Sequence, residues 1–130
     1  MPGCRPRSTG TACVSSEREA LRLQDIVDNA DRIAGYVEGL DFAAFAADGK
    51  TADAVERCLQ RITEAVIKIG PERMAEVSPF TPVEAVRGLG NTLRHDYDGI
   101  DLGIIWRTVR ESLPALRADC LRVLQDSASL

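Results

Sequence analysis

Apolar residues recur at three- and four-residue steps through most of this chain. Leu23, Ile26, Val27, Ala30, Ile33, Ala34 and Val37 make one such stripe, the signature of a helix with a single buried face. Ser16 and Glu19 have the spacing of a capping box, so the first helix is predicted over residues 17–38. Gly39 and Asp41 end it, and Asp41 caps a short helix, Phe42 to Ala47. Asp48-Gly49 reads as a turn, after which Thr51 or Asp53 opens a helix over 51–69. Its inward face is Val55, Cys58, Leu59, Ile62, Ala65, Val66 and Ile69, and Gly70-Pro71 stops it.

A short helical piece is expected at 72–77, then a loop through Ser78-Pro79-Phe80. Thr81-Pro82-Val83-Glu84 combines a threonine cap, a proline at the first helical position and a glutamate three after the cap. It starts a helix predicted over 82–95, in which Gly88 and Gly90 each cost about 1 kcal/mol relative to alanine. Asp101 caps the last helix, 101–125, which carries Leu102, Ile105, Trp106, Val109, Leu113, Leu116, Cys120, Val123 and Leu124 inward. Pro114 should kink it. The fold class that follows is all-α: an up-and-down bundle of four main helices plus short ones.

Composition narrows this in three respects. A length of 130 residues suits one domain, and the Pro, Gly, Ser and Thr of the first 15 residues predict a disordered tail ahead of a domain at 16–127. A net charge of −4 gives no overall attraction to nucleic acid, so any such contact needs a local arginine cluster. Cys4, Cys13, Cys58 and Cys120 form no C-x-x-C pair; read as reduced, they point to a cytoplasmic protein. No membrane span and no signal peptide are visible.

Candidate chemistry converges on Gly90-Asn91-Thr92-Leu93-Arg94-His95-Asp96-Tyr97, which holds the one histidine of the chain. Histidine both accepts and donates a proton near neutral pH. Arg87, Asn91 and His95 follow at four-residue steps and share a shallow helical stripe. Arg94 lies about 100° away around the helix, yet a long side chain at a helix end can reach a shared phosphate. Arg107 and Arg110 add charge if they face the same cleft. A guanidinium matches two phosphate oxygens, and a neutral imidazole can deprotonate a ribose 2′-hydroxyl, so this chemistry needs no metal and no cofactor. Asp96, Asp98 and Asp101 lack the glycine and distal glutamate of an EF-hand and read as turn and cap residues. Trp106 reads as core or dimer interface.

The segment 90–101, Gly-Asn-Thr-Leu-Arg-His-Asp-Tyr-Asp-Gly-Ile-Asp, resembles the signature of HepT-like toxins of the HEPN superfamily, found in type VII toxin–antitoxin pairs. Residues 53–59 and 102–106 support the likeness, which covers about 18–125. The resemblance implies an HEPN-like bundle and a metal-independent endoribonuclease. It also implies a homodimer or higher oligomer with signature histidines facing across a two-fold cleft. An MntA-like nucleotidyltransferase antitoxin would silence it, in some relatives by attaching AMP to the tyrosine of His-x-Tyr. Residue by residue, His95 takes the catalytic position, Asn91 the polar one and Tyr97 the AMP-acceptor one. The chain departs from the pattern at Gly90, where the family arginine is expected; Arg94 or Arg87 would have to supply that charge. Beside an RNA-cleaving toxin stand two other readings: a non-catalytic subunit that binds a nucleotidyltransferase or a nucleotide, and a structural helical dimer.

Overall fold

A computed structural model of the chain describes residues 6–81, 86–90 and 102–129, with side chains over 17–81, 86–90 and 102–126. The element order is α1 (Pro6–Val37), α2 (Phe42–Ala47), α3 (Gly49–Ile69), α4 (Pro71–Val77), α5 (residues 86–90), α6 (Leu102–Arg107), a π-helical turn (Thr108–Ser112) and α7 (Leu113–Ser129). No strand occurs among the described residues, and the all-α expectation stands. α1 packs along α3 and α7; α2 packs on α3 and α6, and α4 on α3 and α7.

The core is built from the predicted stripes. Leu23, Ile26, Val27, Ala30, Ile33 and Val37 of α1 are buried against Val55, Cys58, Leu59, Ile62, Ala65 and Val66 of α3. Ile105, Val109, Leu113, Leu116 and Cys120 complete it from the last third of the chain. Burying a side chain of this size contributes roughly 1.5–3 kcal/mol. Ala34, expected in the α1 stripe, is instead exposed and lines a surface hollow.

Several boundaries differ from the sequence reading. α1 starts at Pro6, ahead of Ser16 and Glu19. Proline is well suited to a first helical position, and the propensity losses at Ser, Thr and Gly that follow it are each about 1 kcal/mol or less. The capping box therefore lies inside the helix. α3 starts at Gly49, not at Thr51 or Asp53. Asp48 is its cap: the carboxylate accepts from the Thr51 backbone N–H at 3.2 Å and from Thr51 Oγ1 at 2.7 Å. Those two bonds hold the exposed Asp48 carboxyl below its ordinary pKa.

Asp41 caps α2 as expected, accepting from Ala44 N at 2.8 Å. Gly70 joins α3 to α4 at φ +94°, a backbone region that residues with a Cβ avoid. Pro71 then opens α4. The last predicted helix is interrupted rather than simply kinked. Pro114 has no N–H to donate, and just ahead of it the helix widens, the Leu113 N–H reaching back to Thr108 O. Of the predicted helix 82–95, residues 86–90 are helical and the rest lies outside the described residues.

Candidate active site

Of the residues the sequence marks for chemistry, His95, Asn91, Arg94 and Tyr97 lie outside the described residues. Arg87 is described. It stands exposed on α5, whose Val86 and Leu89 pack partly buried against the core. Gly90, the position of the expected family arginine, is buried. The helix thus turns Arg87 and Gly88 outward and Gly90 inward at the point where it leads toward the histidine segment.

The approach to α5 is fixed by a polar knot that joins residues far apart in sequence. Ser78 is fully buried, and its hydroxyl donates to Asp119 Oδ2 of α7 at 2.7 Å while lying 3.0 Å from Thr81 Oγ1. Arg122 Nη1 donates to Asp119 Oδ1 at 2.9 Å, and its Nη2 reaches Val77 O at 3.4 Å. The Ser78 bond, helped by Arg122, holds the Asp119 carboxyl below its ordinary value. A carboxyl with a lowered folded pKa stabilises the fold above its unfolded value, about 3.9. That contribution disappears as pH falls through the folded value. Asp119→Asn is therefore expected to cost on the order of 1 kcal/mol near neutral pH, since it removes charge-assisted bonds while keeping the shape. The gap to the parent chain should begin to narrow below about pH 4 and vanish only once pH has fallen through the lower folded value. Urea melts at pH 7 and pH 3.5 check this; an unchanged gap at the two values would show that the charge is not what matters.

At the other side, Trp106 of α6 is braced by aromatic contacts. Its ring centroid lies 5.1 Å from that of Phe45 and 6.3 Å from that of Phe42. Arg110 in the π turn holds its guanidinium 5.4 Å from the Trp106 ring, a cation–π distance. Trp106 is therefore a packing residue between α2, α6 and the π turn. Arg110 also lines a groove of about 700 Å³ between α1 and α7, where Arg117 pairs with Asp31 at 2.6 Å. Arg107 is exposed on α6. Arg87, the described member of the predicted constellation, does not line this groove.

Neither described thiol is poised for chemistry. Cys58 and Cys120 are both free and buried, and burial pushes the Cys120 thiol up to about 12, with the Asp119 charge adding to the shift. Among the described residues no group of three or more His, Cys, Asp or Glu is placed to hold a metal ion. No described helix is long and apolar enough to cross a membrane.

Sequence reasoning missed the Ser78–Asp119–Arg122 knot and the Arg110–Trp106 stack. Asp119 and Arg122 do stand at i, i+3, the spacing of a helical ion pair. Nothing in the local sequence links them to Ser78, 41 residues away.

The model of the family described as HepT-like, ribonuclease HepT-like, matches residues 26–123. "Putative RNase MJ0125" of Methanocaldococcus jannaschii is 31% identical over 104 residues, covering 80% of this chain and 89% of that protein. "Probable ribonuclease HepT" of Thermococcus cleftensis is 33% identical over 95 residues, covering 73% of this chain and 86% of that one. "Putative RNase TTE0752" of Caldanaerobacter subterraneus is 29% identical over 103 residues, 79% of this chain and 91% of the relative. No solved structure matches the chain. A family match running from Ile26 on α1 to Val123 on α7, on an all-helical frame, settles the affiliation: this chain belongs to the HepT-like ribonuclease family.

Proposed function

We propose that this chain is a metal-independent endoribonuclease and the toxin of a toxin–antitoxin pair, working in the cytoplasm. The observation that carries the reading is the family match over 26–123, which contains the histidine segment with its general acid/base candidate. His95 would take the proton from a ribose 2′-hydroxyl. The 2′-oxygen then bonds to phosphorus, the bond from phosphorus to the 5′-oxygen breaks, and the protonated imidazole returns a proton to the leaving oxygen. Asn91 would hold the scissile phosphate, and Arg94 or Arg87 would neutralise it. The working unit is residues 16–127 in a homodimer, whose two copies bring their histidines to one cleft. In this scheme no ion or cofactor takes part.

The test is to incubate the purified chain with RNA in excess EDTA. Fragments ending in 2′,3′-cyclic phosphate and beginning with 5′-hydroxyl are expected, from a species that light scattering shows to be a dimer. Intact RNA in every condition, including added divalent ions, would remove the ribonuclease reading. A cleaving monomer would remove the shared cleft.

One observation favours a second reading. Gly90 replaces the family arginine and is buried, which suits a non-catalytic subunit retained for binding a nucleotidyltransferase of the MntA kind. Both readings place Tyr97 as the acceptor of AMP. Co-expression with such a partner should then add one AMP to the intact mass of the chain and none to Tyr97→Phe. An adduct that persists in the variant would put the modification elsewhere.

A further inference from the structure

One flank of the α1–α3 pair carries cations that the fold does not use. Arg18, Arg22 and Arg32 stand on α1; Arg57, Arg61 and Lys68 stand on α3. Arg22 and Lys68 line two neighbouring hollows, one of which also takes in Arg18, the other, about 160 Å³, Arg61. The shared residues make them one groove along the helix pair. Burial raises the Cys58 thiol, and the charges of Arg61 and Arg32 act against it. Arg57 precedes Arg61 by one helical turn.

None of these six cations makes an ion pair among the described residues. Arg73, Arg117 and Arg122, on other faces, each hold a carboxylate. The groove's own carboxylates are Asp25 and Glu64, since Glu19 is taken by Arg73 at 2.8 Å. In a chain of net charge −4, this flank is locally positive.

A second observation says what else the ligand must bring. Asn29 is 8% exposed and lines the smaller hollow. Its Nδ2 donates to Asp25 O at 2.8 Å, which fixes the orientation of the amide, and its Oδ1 has no hydrogen-bond partner. A buried acceptor left unpaired is costly and calls for a donor. The groove is thus complementary to a ligand with anionic groups in series and an O–H or N–H between them. Successive helical turns space the arginines by about 6 Å, the order of the repeat between phosphates in an extended strand. A ribose supplies the hydroxyl. The carboxylates of an acidic polypeptide would also meet the cations, and its backbone N–H groups would also donate to Asn29; RNA is favoured by the phosphate repeat and by the ribonuclease family to which the chain belongs.

We propose that the α1–α3 flank binds the sugar–phosphate backbone of single-stranded RNA, with phosphates on Arg22, Arg61 and Lys68 and a ribose over Asn29, whose buried amide turns into the hollow to accept the 2′-hydroxyl. The inference rests on RNA being the substrate class and adds to it a docking track separate from the histidine segment.

The test uses the full chain as His95→Ala, which keeps RNA intact, and fluorescence anisotropy with labelled oligouridine. Adding Arg22→Gln, Arg61→Gln and Lys68→Gln should weaken binding about tenfold or more. It should also make the dependence of log affinity on log salt shallower by about 2, since each single-strand phosphate contact contributes about 0.7. The same chain should prefer oligouridine to oligodeoxyuridine, and Asn29→Ala should erase that preference. Thermal melts verify that each variant is folded, and the exposed triple variant carries the test if Asn29→Ala is not. Unchanged affinity and slope in the triple variant would overturn the proposal. So would displacement of the RNA by oligoglutamate of equal charge as efficiently as by unlabelled oligouridine, which would mark the flank as a site for an acidic protein. If the unsubstituted chain fails to cleave RNA yet the flank variants lose binding, the ribonuclease reading falls and the docking track stands. If it cleaves and the flank variants bind unchanged, the reverse holds.

Discussion

Replacing His95 by alanine is expected to lower RNA cleavage by roughly 10²- to 10⁴-fold, the usual contribution of general acid–base catalysis. The chain has one histidine, so no neighbouring imidazole can substitute. Asn91 and the arginines can hold a phosphate but cannot exchange a proton with it near neutral pH. Cleavage by the parent chain should persist in EDTA. Equal inertness of parent and variant toward RNA would leave the nucleotidyltransferase-binding subunit as the reading that survives. Gly90→Arg is the reciprocal change. It restores the family spacing five residues before His95 and should raise cleavage if the missing arginine has weakened this chain. Because Gly90 is buried, a long cation there must find a route out of the core. A loss of folded protein in this variant would show that the inward setting of the position, and not the lost charge alone, keeps arginine out.

Phe45→Ala is expected to destabilise the fold by about 3–5 kcal/mol, the range for deleting a buried phenyl ring. Phe45 is fully buried on a helix of only six residues and carries the contact with Trp106, 5.1 Å away between ring centroids. A helix this short has little stability of its own. Losing the ring should therefore release α2 from α6 as well as open a cavity. Denaturant unfolding followed by tryptophan fluorescence reads both, since Trp106 is the one tryptophan. A cost under about 1 kcal/mol would mean that the site collapses without a cavity and that α2 is held by other contacts.

The sequence by itself determined where the buried faces lie. The three- and four-residue recurrence of Leu23 to Val37 and of Val55 to Val66 encodes which side of α1 and α3 turns inward, because burial of apolar surface overrides local detail. Asp41 and Gly70 marked ends correctly because capping and positive φ are demands met within a few residues. The family likeness read from the segment around His95 agrees with the match over 26–123.

Tertiary structure decided what depends on distant partners. The π turn before Pro114 and the outward setting of Ala34 follow from how α1, α6 and α7 meet, not from any one helix. The Ser78–Asp119 bond joins residues 41 apart. The positive flank exists only because α1 and α3 lie side by side: each helix alone shows scattered arginines, and packing gathers them into one track beside the unpaired Asn29 carbonyl. Hydrophobic periodicity is a property of one segment, whereas an electrostatic field sums over whatever the fold brings near.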